Sequence, residues 1–246
     1  MPEPLAYRLY GLLWHSLDWI YPPECAGCGK TGKLWCTDCS NKVTLVGSIL
    51  CPVCGIPQTQ DQVCWDCQEA MPHYKALRSW AIFKGEVRKA IHRLKYRRNV
   101  ALGQTLAIPL IHQLIALNWP IDIVTPVPLG LARLAERGYN QASLLAKPIA
   151  LHRRLPYQPE AIKRSRETHS QVGLSFTLRK ENVVGAFTAD RSKVGCKKVL
   201  VVDDVITSGA TMDACAIALL EAGASEVYGL SLARAGRVDR SGPVEQ

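Results

Sequence analysis

The chain has 246 residues, 48% hydrophobic and 21% charged, which excludes wholesale disorder and suits one large domain or a medium domain with a small module. Its net charge of +9 is regional: residues 78–98 and 131–193 each carry +7, and the remaining segments are slightly acidic. Such a distribution points to an anionic ligand, phosphate or nucleic acid, rather than to a uniformly solubilising surface.

At the N-terminus, Leu5, Leu9, Leu12, Leu13, Leu17 and Ile20 recur on one face, so residues 1–22 read as an amphipathic helix. Arg8 is the only Lys or Arg between residues 5 and 20, which favours packing on a core over lying on a membrane. Nothing there combines a basic start, an apolar core and a small-residue cleavage site, so a cytosolic protein is expected.

Eight of the ten cysteines then fall into four Cys-x-x-Cys pairs: Cys25/Cys28, Cys36/Cys39, Cys51/Cys54 and Cys64/Cys67. Two residues between thiols let a tight turn aim both sulfurs at one ion, and two such turns complete a tetrahedral site. Residues 23–76 are therefore predicted to be a double zinc-binding module, in which two sites of four cysteines each hold one Zn2+. A disulfide scaffold does not suit a cytosolic chain, and a redox dithiol needs one pair rather than four. Iron–sulfur ligation shares the ligand type, but Gly29 and Gly55, each just after a pair, suit zinc knuckles. The spacing leaves the pairing open: adjacent pairs share an ion, or the first joins the third and the second the fourth. Eight thiolates and two Zn2+ take the first 77 residues from −2 to −6, so the module reads as a folding staple, with docking next, and not as a nucleic-acid grip. Cys196 and Cys215 are expected to be buried apolar residues.

Next comes a basic stripe, Arg88, Arg93, Lys95, Arg97 and Arg98, on an amphipathic helix with Tyr96. It suits either a solvated face or DNA phosphates with a stacking aromatic. Residues 100–121 carry no charge, yet Gln104, Pro109, His112, Gln113 and Asn118 interrupt them, and a span needs about 20 mainly apolar residues. A buried helix kinked at Pro109 is expected, and no transmembrane segment. Residues 121–126 read as a strand ending in Pro126-Val127-Pro128, followed by the basic residues Arg133 and Arg137. Residues 163–182 form a basic, polar loop. Val199–Val202 is a continuous apolar run, the mark of a parallel strand buried on both faces. Asp203 and Asp204 follow it, then the small residues Thr207 to Thr211, a helix over 212–222 and a strand over 227–232. Strand, acids, small-residue loop and helix N-terminus together form a phosphate site in a βαβ unit.

The thirteen residues Val199 to Thr211 resemble the motif by which type I phosphoribosyltransferases bind phosphoribosyl pyrophosphate (PRPP). Arg137-Gly138-Tyr139-Asn140-Gln141, then Arg164, Arg166, Thr168 and Gln171, then Arg179, Asn182, Gly185 and Phe187, together with the cysteine module, resemble the ComF family over residues 20–235. Tyr139 stands where Phe is common in that family. The resemblance implies an α/β fold: a type I phosphoribosyltransferase-like, mostly parallel sheet flanked by helices over residues 77–240, with a disordered tail at 241–246. It implies that Asp203 and Asp204 hold the ribose hydroxyls of PRPP with Mg2+, and that Thr207, Ser208, Gly209, Ala210 and Thr211 cradle the 5′-phosphate. It places Arg137, Arg164, Thr168 and Gln171 as pyrophosphate or flexible-loop candidates, and Lys95 in a stretch that turns to PRPP instead of DNA. It further implies DNA uptake in natural transformation, with single-stranded DNA, a DNA-uptake helicase and recombination mediators as partners, at the inner face of the membrane through those partners. No catalytic residue is assigned, because no acceptor pocket or amidotransferase domain is legible. An active phosphoribosyltransferase acting on a small nucleophile, and a zinc interaction module with a vestigial fold, are the alternatives.

Overall fold

The computed structural model describes residues 4–15, 22–96, 101–165 and 185–236. In chain order its helices are α1 (Leu5–His15), α2 (Thr37–Asn41), α3 (Trp65–Glu69), α4 (Gly85–Tyr96), α5 (Ala101–Leu117), α6 (Leu131–Arg137), α7 (Gln141–Arg153), α8 (Arg191–Val194) and α9 (Ala210–Glu221). Its strands are β1 (Ala76–Ile82), β2 (Ile123–Pro126), β3 (Ile162–Arg164), β4 (Phe187–Ala189), β5 (Lys198–Ile206) and β6 (Glu226–Arg234). β1, β6, β5 and β2, in that order, form one all-parallel sheet, while β3 and β4 pair antiparallel as a second, two-stranded sheet that packs on α9.

β5 lies inside the sheet, between β6 and β2, and Val199, Leu200, Val201 and Val202 are all fully buried. Val199 and Val201 join the core shared with α9, the two-stranded sheet and Cys51, Cys54, Cys64 and Cys67. Leu200 and Val202 join the opposite core, built on α4, α5 and α7. Coverage on both faces is why this strand reads as a continuous apolar run instead of alternating. The strand continues through both acids to Ile206, so its alternation puts Asp203 on the α9 side and Asp204 on the α4 and α7 side.

α5 contains Pro109 as expected, but it is buried on one face only: Leu106, Leu110 and Leu114 are in the core whereas Ile108 and Ile115 are exposed. No helix among the described residues is long and apolar enough to cross a membrane. The cysteine-rich segment closes the free edge of β1: Ile82 N–H donates to Thr44 (2.8 Å), Leu45 bridges Ala81, and Leu77 N–H donates to Val53 (2.7 Å). An uncovered parallel edge would offer these groups to another chain. Cys215 is buried as expected, whereas Cys196 is exposed at φ +57°, in the turn between α8 and β5 where its apolar flanks do not decide burial.

Candidate functional site

The eight paired cysteines form two clusters, Cys25/Cys28/Cys36/Cys39 and Cys51/Cys54/Cys64/Cys67, with the sulfurs of each cluster within 4.8 Å of one another. Adjacent pairs share a site, which settles the alternatives the spacing leaves open. Both clusters use one local design. Gly29 N–H closes on Cys25 O (2.9 Å) and Gly55 N–H on Cys51 O (3.0 Å), while Cys36 N–H points at Cys25 Sγ and Cys64 N–H at Cys51 Sγ, both at 3.4 Å. The glycines take φ of +80° and +69°, as the turns require. Tetrahedral zinc with bonds of about 2.3 Å needs sulfurs about 3.8 Å apart. Cys28 to Cys36 is 3.7 Å and Cys54 to Cys64 is 3.5 Å, so both donor sets fit Zn2+. A hydrogen bond from Cys67, aided by nearby Arg234, holds Cys54 down to about 5 against its burial.

At the carboxyl end of β5, Asp203 is 9% exposed and Asp204 3%. Asp204 accepts from Gln141 Nε2 at Oδ1 (3.1 Å) and pairs with Lys95 Nζ at Oδ2 (2.6 Å). Asp203 Oδ1 accepts the Asp204 N–H at 2.8 Å. Burial, and then the Asp204 charge, push Asp203 well above the ordinary carboxylate range, with Lys95 opposing the shift. Past the strand, Thr207 is exposed, Ser208 is half-buried with its Oγ accepting Ala210 N–H (3.3 Å), and Gly209 at φ +81° starts α9. Together with Ala210 and Thr211, these residues offer first-turn N–H groups and hydroxyls to an anion.

Other candidate residues are spread more widely. Arg137, at the end of α6, donates to Gln141 Oε1 and lies over the Tyr96 ring at 5.4 Å. Arg93 donates to Cys25 O at 2.7 Å, tying α4 to the first cysteine cluster, and Arg88 is exposed. The basic stripe is therefore not one surface: Lys95 turns to Asp204 and Arg93 to the cysteine module. Arg97, Arg98, Thr168, Gln171 and the 241–246 tail lie outside the described residues. Arg164 is on β3, stacked over Phe187 at 5.7 Å, and its charge acts on Cys215 in α9.

The second cysteine cluster forms a wall beside residues 208–210. A cleft of about 50 Å³ is lined by Cys54, Cys67 and Tyr74 on one side and Ser208, Gly209 and Asp213 on the other. Buried Arg234, at the end of β6, donates to Cys54 O at 2.9 Å. His73 donates its backbone N–H to Asp213 Oδ1 (2.6 Å), with its ring Nδ1 at 3.1 Å, and a Cβ on Gly209 would lie 3.4 Å from Tyr74 Oη. Sequence reasoning missed His73, Tyr74 and Arg234 as neighbours of this site. The available signal was Arg234, the single cation of β6, which closes a run of mainly apolar residues.

A family model described as a double zinc ribbon domain matches residues 16–68. The chain is 34% identical over 206 residues to the "DNA utilization protein YhgH" of Escherichia coli K12, covering 81% of this chain and 89% of that protein. It is 29% identical over 224 residues to "Competence protein F" of Haemophilus influenzae, covering 86% and 90%. Among solved structures it is similar to a glutamine PRPP amidotransferase from B. subtilis, at 26% identity and a TM-score of 0.35 over 56% of this chain and 26% of that one.

Proposed function

The chain belongs to the ComF family, and on that premise we propose that it binds PRPP with Mg2+ at residues 203–211 and serves DNA uptake or utilisation, the role its relatives' names carry. One observation carries the reading: two buried carboxylates lie near the carboxyl end of a central parallel strand, and a left-handed glycine and a helix start follow at residues 209 and 210. A buried acid beside a second acid favours a ligand that brings hydroxyl donors and its own cation. PRPP brings both, as a vicinal diol and a Mg2+-bound pyrophosphate. Mg2+ supplies charge neutralisation of the pyrophosphate. The N–H groups at the start of α9 and the hydroxyls of Thr207, Ser208 and Thr211 suit the 5′-phosphate.

For single-stranded DNA we assign the exposed side of α4 at Arg88, together with Arg97 and Arg98, because Lys95 and Arg93 are bonded inside the protein. The test of the PRPP site is thermal stability of the zinc-loaded protein with Mg2+ and increasing PRPP, against an Asp203→Asn/Asp204→Asn variant. A ligand at a hundred times its dissociation constant adds about 2.7 kcal/mol. The expected result is a shift in wild type that the variant loses, and equal behaviour of the two proteins overturns the reading. Pyrophosphate release on adding small nucleophiles then separates a binding protein from a transferase.

A further inference from the structure

Every polar side chain between Arg137 and Gln141 is committed to a contact inside the protein. Gly138, at φ +80°, reverses the chain after α6. Asn140 Nδ2 donates to Val127 O past the end of β2 (2.9 Å), and its Oδ1 accepts Ala142 N–H (2.9 Å), capping α7. That places Gln141 at the first position of α7. Both ends of its amide are engaged, Oε1 accepting from Arg137 and Nε2 donating to Asp204 Oδ1. Tyr139 Oη donates to Leu94 O at 2.6 Å, fixing the end of α4 one residue before Lys95, and Arg137 lies over Tyr96, one residue after it. Lys95 closes the ring on Asp204 Oδ2 at 2.6 Å. Two helices, α4 and α7, thus meet one carboxylate from the side of the sheet opposite α9, and α6 braces them through Arg137.

We propose that residues 137–141 and Lys95 form a positioning bracket that sets how Asp204 meets the sugar hydroxyls, so that Gln141 and Lys95 determine selectivity for ribose over 2-deoxyribose. The proposal rests on residues 203–211 being a sugar-phosphate site. Gln141 engages one lone pair of Asp204 Oδ1, while Oδ2 is buried, ion-paired with Lys95 and without a hydrogen bond, so the carboxylate keeps acceptor capacity that a ligand hydroxyl can meet. A carboxylate held at both oxygens presents that capacity in one direction. A sugar lacking the 2-hydroxyl then leaves a buried acceptor unpaired, which is how a site built on hydrogen bonds rejects a deoxy analogue. A carboxylate free to turn would discriminate poorly. Arg137 has a part as well: it accounts for the Gln141 oxygen, so the amide nitrogen is the end that faces Asp204.

The experiment is calorimetric titration of the zinc-loaded full chain, with Mg2+, by ribose 5-phosphate and separately by 2-deoxyribose 5-phosphate, with PRPP as a third ligand. Wild type is expected to prefer the ribose form by about tenfold or more. Gln141→Ala and Lys95→Met are expected to reduce that preference to about threefold or less by weakening the ribose form, while Lys95→Arg, which keeps the charge, retains most of it. A merely structural role lowers both affinities together and leaves their ratio intact, and that result overturns the bracket. If Gln141→Ala fails to fold, Lys95→Met against Lys95→Arg makes the same comparison. Wild type that binds PRPP but treats the two sugar phosphates alike also overturns the bracket, whereas wild type that binds none of the three overturns the sugar-phosphate reading itself.

Discussion

The two cysteine clusters share a local design but not an environment. In the first, Cys25 and Cys39 are buried but Cys28 is exposed and Cys36 half-buried; it is tied to the rest of the chain by Arg93 on Cys25 O, by the close approach of Gly27 to Glu86 on α4, and by Ala26, which joins the core of α4, α5 and α7. In the second, all four cysteines are buried and share a core with Leu77, Ile206, Ala210 and Met212. A Cβ on Gly55 would lie 2.4 Å from Leu77 O, so ribbon and sheet touch backbone to backbone. The same metal-binding unit is thus half-exposed at one end and wholly buried in the domain core, beside residues 208–213, at the other.

The sharpest way to break this contrast is to remove one ion at a time. Structural zinc in small modules is worth on the order of 10 kcal/mol of folding free energy. Cys54→Ser is therefore expected to lose a zinc equivalent, most of the cooperative melting transition and the PRPP response together. Cys28→Ser is expected to lose one equivalent while keeping the transition and the PRPP response. Metal content and calorimetric melting decide between them, and equal losses would mean that the two sites are not different in kind. Next in size is Arg234→Met, which removes a buried donor to Cys54 O and should cost about 1–3 kcal/mol. Metal lost from that variant should come from the second site alone, as read by adding Cys28→Ser.

A smaller effect of opposite sign is expected at Asp203. Its folded-state proton affinity is raised above the unfolded value, so the native state binds more protons just above pH 4, and stability falls as pH rises through the raised value. At neutral pH, Asp203→Asn should therefore stabilise the ligand-free protein by about 1 kcal/mol while abolishing PRPP binding. A destabilised Asn variant in a thermal melt would contradict this. The smallest effect belongs to the exposed face of α4: Arg88→Gln should leave stability within about 0.5 kcal/mol. In salt titrations of single-stranded DNA binding it should lower the salt slope by about 1.

Much of this was legible because it is local in the chain. Cys-x-x-Cys spacing, four apolar residues before Asp203 and Asp204, and the small residues from Thr207 to Thr211 lie within short segments whose geometry their own residue types dictate. The alternation of a strand also foretells that two consecutive acids face opposite sides. What each acid meets was not legible, since Lys95 reaches Asp204 across 109 positions and Arg234 reaches Cys54 across 180. The basic stripe on α4 divides for the same reason. Composition cannot show that Lys95 and Arg93 are bonded inward while Arg88 stays exposed. Cys196 shows the limit of reading burial from apolar neighbours, because a tight turn can expose a residue that its flanks would bury.

The central claim is that residues 203–211 bind a sugar phosphate against the second cysteine cluster, and the most direct measurement is the rate of metal release. Zinc-loaded wild type and Cys28→Ser are mixed with a chromogenic chelator at constant Mg2+, with and without PRPP at a concentration that saturates the thermal shift. Ligand and metal that stabilise the same wall raise each other's affinity, because linkage is reciprocal, and release that requires this wall to open is slowed when the ligand holds it closed. PRPP is predicted to slow release of one of two equivalents in wild type, and of the single equivalent left in Cys28→Ser. Unchanged release of both equivalents from PRPP-saturated protein would contradict the claim.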